Sequence, residues 1–157
     1  MAEEIQEAVQ IIRVAYDGIE IAMKVGSGGI AAMQKAAHGE EVGKSLLEED
    51  YKQYALDMEK KAEEKGVKLL IPIDTTVADD FSNDANFKVV GRGEIPADME
   101  GLDIGPKTAE LFADAVKGAK TVVWNGPMGC FEMPNFAKGT IAVAKAMADL
   151  EIGRAHV

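Results

Sequence analysis

The chain has 157 residues, of which 47% are apolar and 28% charged, a balance typical of one soluble globular domain. The net charge of −10, with acids and bases interspersed, argues against a nucleic-acid surface, which requires a cationic stripe. A single cysteine fits a reducing, cytoplasmic compartment, and no apolar run is long enough to span a bilayer.

The first part of the chain is predicted to form a helix and then a strand. Apolar residues repeat at helical spacing over about residues 2–16, which indicates an amphipathic helix. The stretch 19–25 alternates and is predicted to be a strand, and a helix is predicted from residue 30 to about residue 37. Between them, the glycines of 26–29 form either a simple turn or a site where bare backbone N–H groups face an anion or nucleotide.

A long helix and a buried strand are predicted next. Ser45 and Glu48 form a capping box, which predicts a helix that begins at Ser45 and extends to about Lys65. Gly66 is expected to end this helix in the left-handed conformation. Residues 67–73 are nearly all apolar, which predicts a strand buried on both faces.

The second half is predicted to continue the alternation of strands and helices. A polar loop contains a short strand near 87–90, and Pro106 suits the first position of a helix. A strand at 121–124 and a last helix at about 134–150 follow. The helix that begins at Pro106 is expected to bury Leu111, Phe112 and Val116.

These elements together predict the fold class. Strands separated by helices favour an α/β protein, because parallel strands are joined by helical crossovers. We therefore expect a three-layer sandwich with a mainly parallel, Rossmann-like sheet that contains the strands at 19–25, 67–73 and 121–124.

The most informative segment is residues 121–132, TVVWNGPMGCFE. Strand-preferring residues run into Asn-Gly-Pro, which ends a strand abruptly, and a carboxylate follows at Glu132. In α/β proteins, ligands bind beyond the carboxyl ends of the strands. The alternative is an ordinary strand-to-helix connection.

This segment closely resembles the nucleotide-site loop of phosphoglycerate kinases, WNGPMGxFE. Four further segments resemble that family in the same order: VGKSLLEED at 42–50, GVKLLIPID at 66–74, VADDF at 77–81 and GLDIGPKT at 101–108. The resemblance implies that residues 1–150 are a truncated part of the carboxyl-terminal nucleotide-binding domain. Residues 151–157 do not resemble the family, and we expect them to be a non-native tail.

The resemblance implies the adenosine half of a nucleotide site. Two glycines would lie against the adenine, apolar residues would line its slot, and a proline and a methionine would flank the ribose. Glu132 would accept hydrogen bonds from the ribose hydroxyls, and Asn125 would lie near the phosphates. No catalytic and no metal-ligating residue is assigned. The implied nucleotide-binding residues are Gly28, Gly29, Leu46, Phe81, Gly101, Leu102, Asn125, Pro127, Met128 and Glu132.

For the intact enzyme, the resemblance implies phosphoryl transfer between Mg-bound ATP or ADP and 3-phosphoglycerate in glycolysis, usually by a monomer. We expect the substrate domain and the phosphate-handling groups to lie outside these 157 residues, so that the chain alone binds nucleotide without catalysis. A second class stays open, a non-catalytic α/β binding or interaction module that has lost nucleotide chemistry. Ser27 in place of a family glycine and Met99-Glu100 in place of the family's Trp-Met favour this alternative.

Overall fold

The structure is a computed structural model that describes residues 11–15, 20–24, 41–42, 52–124 and 126–150. This part of the chain contains both strands and helices. The strands are β1 (Ile11–Ala15), β2 (Glu20–Lys24), β3 (Glu41–Val42), β4 (Lys68–Leu70), β5 (Asp74–Ala78), β6 (Phe87–Gly91), β7 (Glu94–Ile95), β8 (Glu100–Ile104) and β9 (Thr121–Trp124). The helices are α1 (Lys52–Glu64), α2 (Pro106–Val116) and α3 (Lys138–Ala148), with a 3-10 turn at Pro134–Phe136.

A four-stranded sheet contains the three predicted strands. Its order is β4-β2-β1-β9, so the strands predicted at 19–25, 67–73 and 121–124 belong to one sheet. The prediction of a mainly parallel sheet is wrong for these strands. Only β2 and β4 are parallel, whereas β1 is antiparallel to both β2 and β9. The reason is that β1 lies between β2 and β9 and runs opposite to each of them.

β1 also corrects the helix predicted over 2–16. Residues 11–15 of that stretch form a strand, while the rest of the predicted helix lies outside the described residues. In so short a stretch, the spacing of apolar residues fits both the period of a helix and the period of a strand. Three of the five residues are β-branched, which favours a strand, and the strand has hydrogen-bonding partners on both sides. Tertiary pairing therefore overrides the helical spacing.

A three-stranded antiparallel sheet, β6-β5-β8, stands where the sequence predicted mostly loop. The strand predicted near 87–90 is confirmed as β6. β5 and β8 were not predicted, yet every residue of β5 is buried. The polar groups of β5 have partners inside the protein: Thr76 Oγ1, for example, donates to the carbonyl of Ile104 at 3.2 Å. The short strands β3 and β7 pair in parallel.

The strand predicted at 67–73 is shorter than expected. β4 covers only Lys68–Leu70, because Pro72 has no N–H to donate to a neighbouring strand. The expected burial on both faces is also wrong, since Lys68 is exposed and Ile73 is 44% exposed. Leu70 is the residue of β4 that reaches the core.

Gly66 ends α1 as predicted. Its φ is +66°, and its N–H donates to the carbonyl of Glu63 at 3.0 Å, while Val67 N–H donates to Ala62 at 2.8 Å. This pair of bonds is a Schellman motif, which satisfies carbonyls at the helix end. The predicted start of this helix at Ser45 lies outside the described residues.

Replacing Gly66 with alanine is expected to lower the free energy of unfolding by about 1 kcal/mol, because a side chain is disfavoured in the left-handed conformation. No atom lies within 4 Å of the position that a Cβ would take, so the cost is conformational rather than steric. Urea unfolding followed by circular dichroism measures it. Gly66→Asn should cost less, and an alanine variant as stable as the wild type would contradict the left-handed cap.

The main core lies where α2, α3 and the strand ends meet. Pro106 begins α2, and Phe112 and Val116 are fully buried with Leu111 packed beside them, all as predicted. The last predicted helix is confirmed as the 3-10 turn followed by α3. Trp124 packs against the same cluster, as expected of a core residue. The buried members of this cluster are Leu70, Ile104, Ala109, Phe112, Val116, Ala119, Met128 and Val143.

Candidate functional site

Residues 126–132, the loop between β9 and α3, are fixed by hydrogen bonds to neighbouring elements. Cys130 N–H donates to the carbonyl of Leu102 at 2.8 Å, which joins the loop to β8. Met128 N–H donates to Thr140 Oγ1 at 3.0 Å, which joins it to α3. Gly126 turns the chain with a φ of +106°, a conformation that favours glycine. The loop is therefore held in one conformation by backbone groups.

Gly129 brings the loop into close contact with β8. An ideal Cβ on Gly129 would lie 2.5 Å from the carbonyl oxygen of Leu102 and 2.7 Å from Asp103 Cα. Both are backbone atoms of a paired strand, so neither can move freely. Only a glycine fits at this point of the loop.

Asp103 is a buried carboxylate between the loop and α3. It is 2% exposed; one oxygen accepts Ile104 N–H and the other accepts Gly139 N–H, each at 2.8 Å. Burial raises the pKa of Asp103 to about 6, against the lowering effect of these two backbone hydrogen bonds and of the Lys138 charge. This carboxylate is therefore the acidic group with the most perturbed environment in the described part of the chain.

A second buried carboxylate, Asp74, holds the amino terminus of α2. It is 4% exposed and accepts Lys107 N–H at 3.0 Å and Thr108 N–H at 2.8 Å. Thr108 Oγ1 also donates to it at 2.6 Å. Gly105, at the N-cap position, has no side chain, so Asp74 supplies the acceptor that a helix start requires.

The described residues of the predicted nucleotide site fall into two groups. Phe81 is 60% exposed, Glu132 is exposed and Pro127 is half-buried. Gly101, Leu102 and Met128 are buried, and the side chains of Leu102 and Met128 belong to two separate apolar clusters. The remaining four predicted residues, Gly28, Gly29, Leu46 and Asn125, lie outside the described residues.

Hydrogen bonds bring the segments that carry these residues together. The bond from Cys130 to Leu102 places the loop beside β8, the strand that also contains Gly101. Asn135 N–H donates to Asn83 Oδ1 at 3.0 Å, and Asn135 Nδ2 donates to the carbonyl of Asn83 at 2.8 Å. The segment after β5, which carries Phe81, is thereby joined to the segment that follows Glu132.

The electrostatics of Cys130 reflect the same arrangement. Burial raises the pKa of its thiol, and the negative charges of Glu132, Asp103 and Glu100 raise it further. The thiol is therefore kept protonated near neutral pH. The acidic side chains around it make this edge of the protein electronegative.

Sequence reasoning missed the residues that hold the site together. Asp103, Thr140 and the pair Asp74 and Thr108 were not singled out individually. One signal was available: α2 and α3 begin after Gly105 and Ala137, which have no capping side chain. A helix without a local cap requires an acceptor from elsewhere. The sequence could not say which residue supplies it.

A cleft of about 540 Å³ lies between the β5–β6 face and the starts of α2 and α3, and Asn135 is one of the residues that line it. None of the described residues predicted to bind nucleotide lines it. Within the described ranges, no group of three or more His, Cys, Asp or Glu residues could hold a metal ion. No helix in the same ranges is long and apolar enough to cross a membrane.

The fold and the loop define an α/β protein whose candidate site follows the end of a strand, where ligands bind in this class. The sequence model of the phosphoglycerate kinase family matches residues 4–157, and the chain belongs to that family. The predicted family and the α/β class are confirmed.

Individual relatives agree with this assignment. Phosphoglycerate kinases from Staphylococcus aureus strains JH9 and Newman are 56% identical to the chain over 124 residues, which is 79% of this chain. The chain spans 31% of the length of these relatives. The solved phosphoglycerate kinase from Coxiella burnetii is 39% identical, with a TM-score of 0.75 over 80% of this chain and 32% of that one. The enzyme from Pyrococcus horikoshii OT3 is 31% identical, with a TM-score of 0.55 over the same shares.

Proposed function

We propose that this chain supplies the adenosine half of the nucleotide site of a phosphoglycerate kinase. The observation that carries the proposal is the family match together with the fixed loop 126–132, whose sequence resembles the family's nucleotide-site loop. The non-catalytic alternative is not favoured, because the curated relatives at 56% identity are phosphoglycerate kinases.

The described geometry supports an adenosine site in three ways. The ring of Phe81 is exposed, so it is accessible to a planar base. The carboxylate of Glu132 is exposed and can accept hydrogen bonds from ribose hydroxyls. The side chains of Leu102 and Met128 are buried, so ligand contact at these positions would be made by their backbone and by Gly101.

The wider reaction follows from family membership. The intact protein would transfer a phosphoryl group between ATP and 3-phosphoglycerate in glycolysis, in the cytoplasm, with Mg²⁺ bound to the nucleotide. Within the described residues, no group of three or more His, Cys, Asp or Glu side chains could hold this ion. In enzymes of phosphoryl transfer, Mg²⁺ is often held by one or two carboxylates and the substrate phosphates. The residues of the proposed adenosine site would bind and orient the base and sugar.

Glu132→Ala is expected to weaken adenosine binding about tenfold, because it removes a charged acceptor from the ribose hydroxyls. Adenosine and ADP should bind with similar affinity to the wild-type chain, since the proposed contacts are to base and sugar. Titration calorimetry with both ligands measures this. Glu63→Ala, which removes an exposed glutamate from α1, is the matched control and should bind as the wild type does.

Two results would overturn the proposal. One is binding that depends strongly on the phosphates of ADP, which would move the main contacts away from the base and sugar. The other is equal loss of affinity in the Glu132 and Glu63 variants, which would show that the effect is not local to the ribose.

A further inference from the structure

We propose that Asp103 is a positioning residue for the nucleotide loop, the name used from here on for residues 126–132. Asp103 holds this loop between β8 and α3 and thereby fixes the position of Glu132. The inference rests on the proposed adenosine site and adds a residue that is too deeply buried to touch the ligand.

Asp103 joins three elements through its own atoms. It belongs to β8, and its carboxylate accepts Ile104 N–H of the same strand and Gly139 N–H of α3, each at 2.8 Å. Ideal Cβ atoms on Gly129 and Gly139 would each lie 2.5 Å from Asp103 Oδ1. The carboxylate thus fills the space between the nucleotide loop and the helix.

The anchor bonds of the loop lie directly around this carboxylate. Cys130 N–H donates to the carbonyl of Leu102, which precedes Asp103 in the chain. Met128 N–H donates to Thr140 Oγ1, and Thr140 follows Gly139. A shift of α3 relative to β8 would therefore disturb the two hydrogen bonds that attach the loop to β8 and to α3. Asp103 is the side chain that opposes such a shift.

The position at the start of α3 strengthens the link. Ala137, at the N-cap position, has no hydrogen-bond acceptor in its side chain. The carboxylate of Asp103, on β8, supplies that acceptor instead. A negative charge is also favoured at this end of a helix, where the N–H groups leave a partial positive charge. The ionised carboxylate accepts both backbone N–H groups, whereas an amide would face one of them with its own donor.

The ionised form is costly to bury. Burial raises the pKa from 3.8 to about 6, so the folded state disfavours the charge and this group's contribution to stability falls as the pH rises from about 4 to about 6. At neutral pH the carboxylate is ionised, which is the form that accepts both backbone N–H groups.

In the described part of the chain, charged or titratable groups that interact with Asp103 lie on α3 and on the nucleotide loop. Lys138 on α3 lowers its pKa, and Cys130 of the nucleotide loop is close enough to be affected by its charge. Burial raises the pKa of the Cys130 thiol above its ordinary value, so the thiol stays protonated between pH 5 and 8. A change in loop geometry with a midpoint near pH 6 is assigned to Asp103 only if Asp103→Asn abolishes it, because the chain also contains two histidines, whose ordinary pKa is about 6.5.

The test combines NMR and adenosine titration on the 157-residue chain between pH 5 and 8. In the wild type, the Gly139 and Cys130 amide signals should titrate with a midpoint near 6, and adenosine affinity should fall below that pH. Asp103→Asn should abolish the titration and weaken adenosine binding on the order of tenfold at pH 7.5. Asp98→Asn, at an exposed turn, should behave as the wild type in both measurements.

A double-mutant cycle separates positioning from stability. Asp103→Asn should cause no further loss of affinity when Glu132 is already alanine, because it acts through Glu132. Thr140→Val removes the acceptor of Met128 N–H and should weaken adenosine binding in the same direction. If Asp103→Asn does not fold, the titration of the wild-type Gly139 and Cys130 amides and the fall in adenosine affinity below pH 6 test the inference.

Three results would overturn the inference: wild-type adenosine affinity in Asp103→Asn, additive losses in the double mutant, or Gly139 and Cys130 signals that do not titrate near pH 6. If the wild-type chain binds no adenosine at any pH, the proposed function fails. The amide signals then still decide whether Asp103 holds the loop.

Discussion

Replacing Asp74 with alanine is expected to lower the free energy of unfolding by about 3 to 5 kcal/mol. The substitution removes the acceptor of Lys107 N–H and of Thr108 N–H. It also removes one of the two acceptors of Thr108 Oγ1, which keeps only the backbone carbonyl of residue 74. Thr108 is fully buried, so water cannot replace the lost partner without opening the protein. The start of α2, which carries Phe112 and Val116 into the core, would lose its only described side-chain cap.

Urea unfolding of Asp74→Ala, Asp74→Asn and Asp98→Ala measures this effect. The asparagine variant keeps one acceptor oxygen and should lose less than the alanine variant. Asp98 is exposed, and its replacement should change the free energy of unfolding by less than about 0.5 kcal/mol. A loss below 1 kcal/mol in Asp74→Ala would show that the buried network contributes little, contrary to its geometry.

Replacing Gly129 with alanine should damage both the fold and the candidate site. The new methyl would overlap the carbonyl of Leu102 and Asp103 Cα, atoms of a strand that is paired with β5. The loop would have to move away from β8 and give up the bond from Cys130 to Leu102. We expect a loss of about 2 to 3 kcal/mol in stability and at least a tenfold loss of adenosine affinity.

Gly66→Ala is the matched control for this substitution. It also places a methyl on a glycine, but at a point where no atom lies within 4 Å. It should cost stability without changing adenosine affinity. If Gly129→Ala leaves adenosine affinity at the wild-type level, the close contact between the loop and β8 does not matter for binding.

Much of the fold could be predicted because local signals were strong. Gly66 ends α1 where a glycine suits the left-handed conformation, and Pro106 begins α2 where its missing N–H costs nothing. The spacing of Phe112 and Val116 identified the buried face of that helix. In each case the residue type determines the backbone conformation without help from distant parts of the chain.

The errors occurred where distant partners decide the structure. β1 resembles part of a helix by its apolar spacing, and only its pairing with β2 and β9 makes it a strand. β5 contains Asp74, Thr75 and Thr76, which are unusual in a buried strand. The side chains of Asp74 and Thr76 become acceptable there because α2 and β8, respectively, satisfy their polar groups. Sequence alone does not identify such partners.

The candidate site divides in the same way. Its location in the segment 126–132 was predictable from the end of a strand and a run of glycine and proline. The supporting residues were not, because Asp103 and Thr140 act through backbone N–H groups far away in the sequence. A buried aspartate in a strand has no sequence signature that separates it from an exposed one.

The most direct test of the central claim is an NMR map of adenosine binding on the ¹⁵N-labelled chain. We expect the largest shifts on Phe81, Gly101, Cys130 and Glu132, whose segments are joined by the hydrogen bonds of Cys130 and Asn135. Shifts confined to Phe87, Val89 and Lys138, which line the cleft between the β5–β6 face and the helix starts, would contradict it. Adenosine would then bind this member of the phosphoglycerate kinase family away from the nucleotide loop.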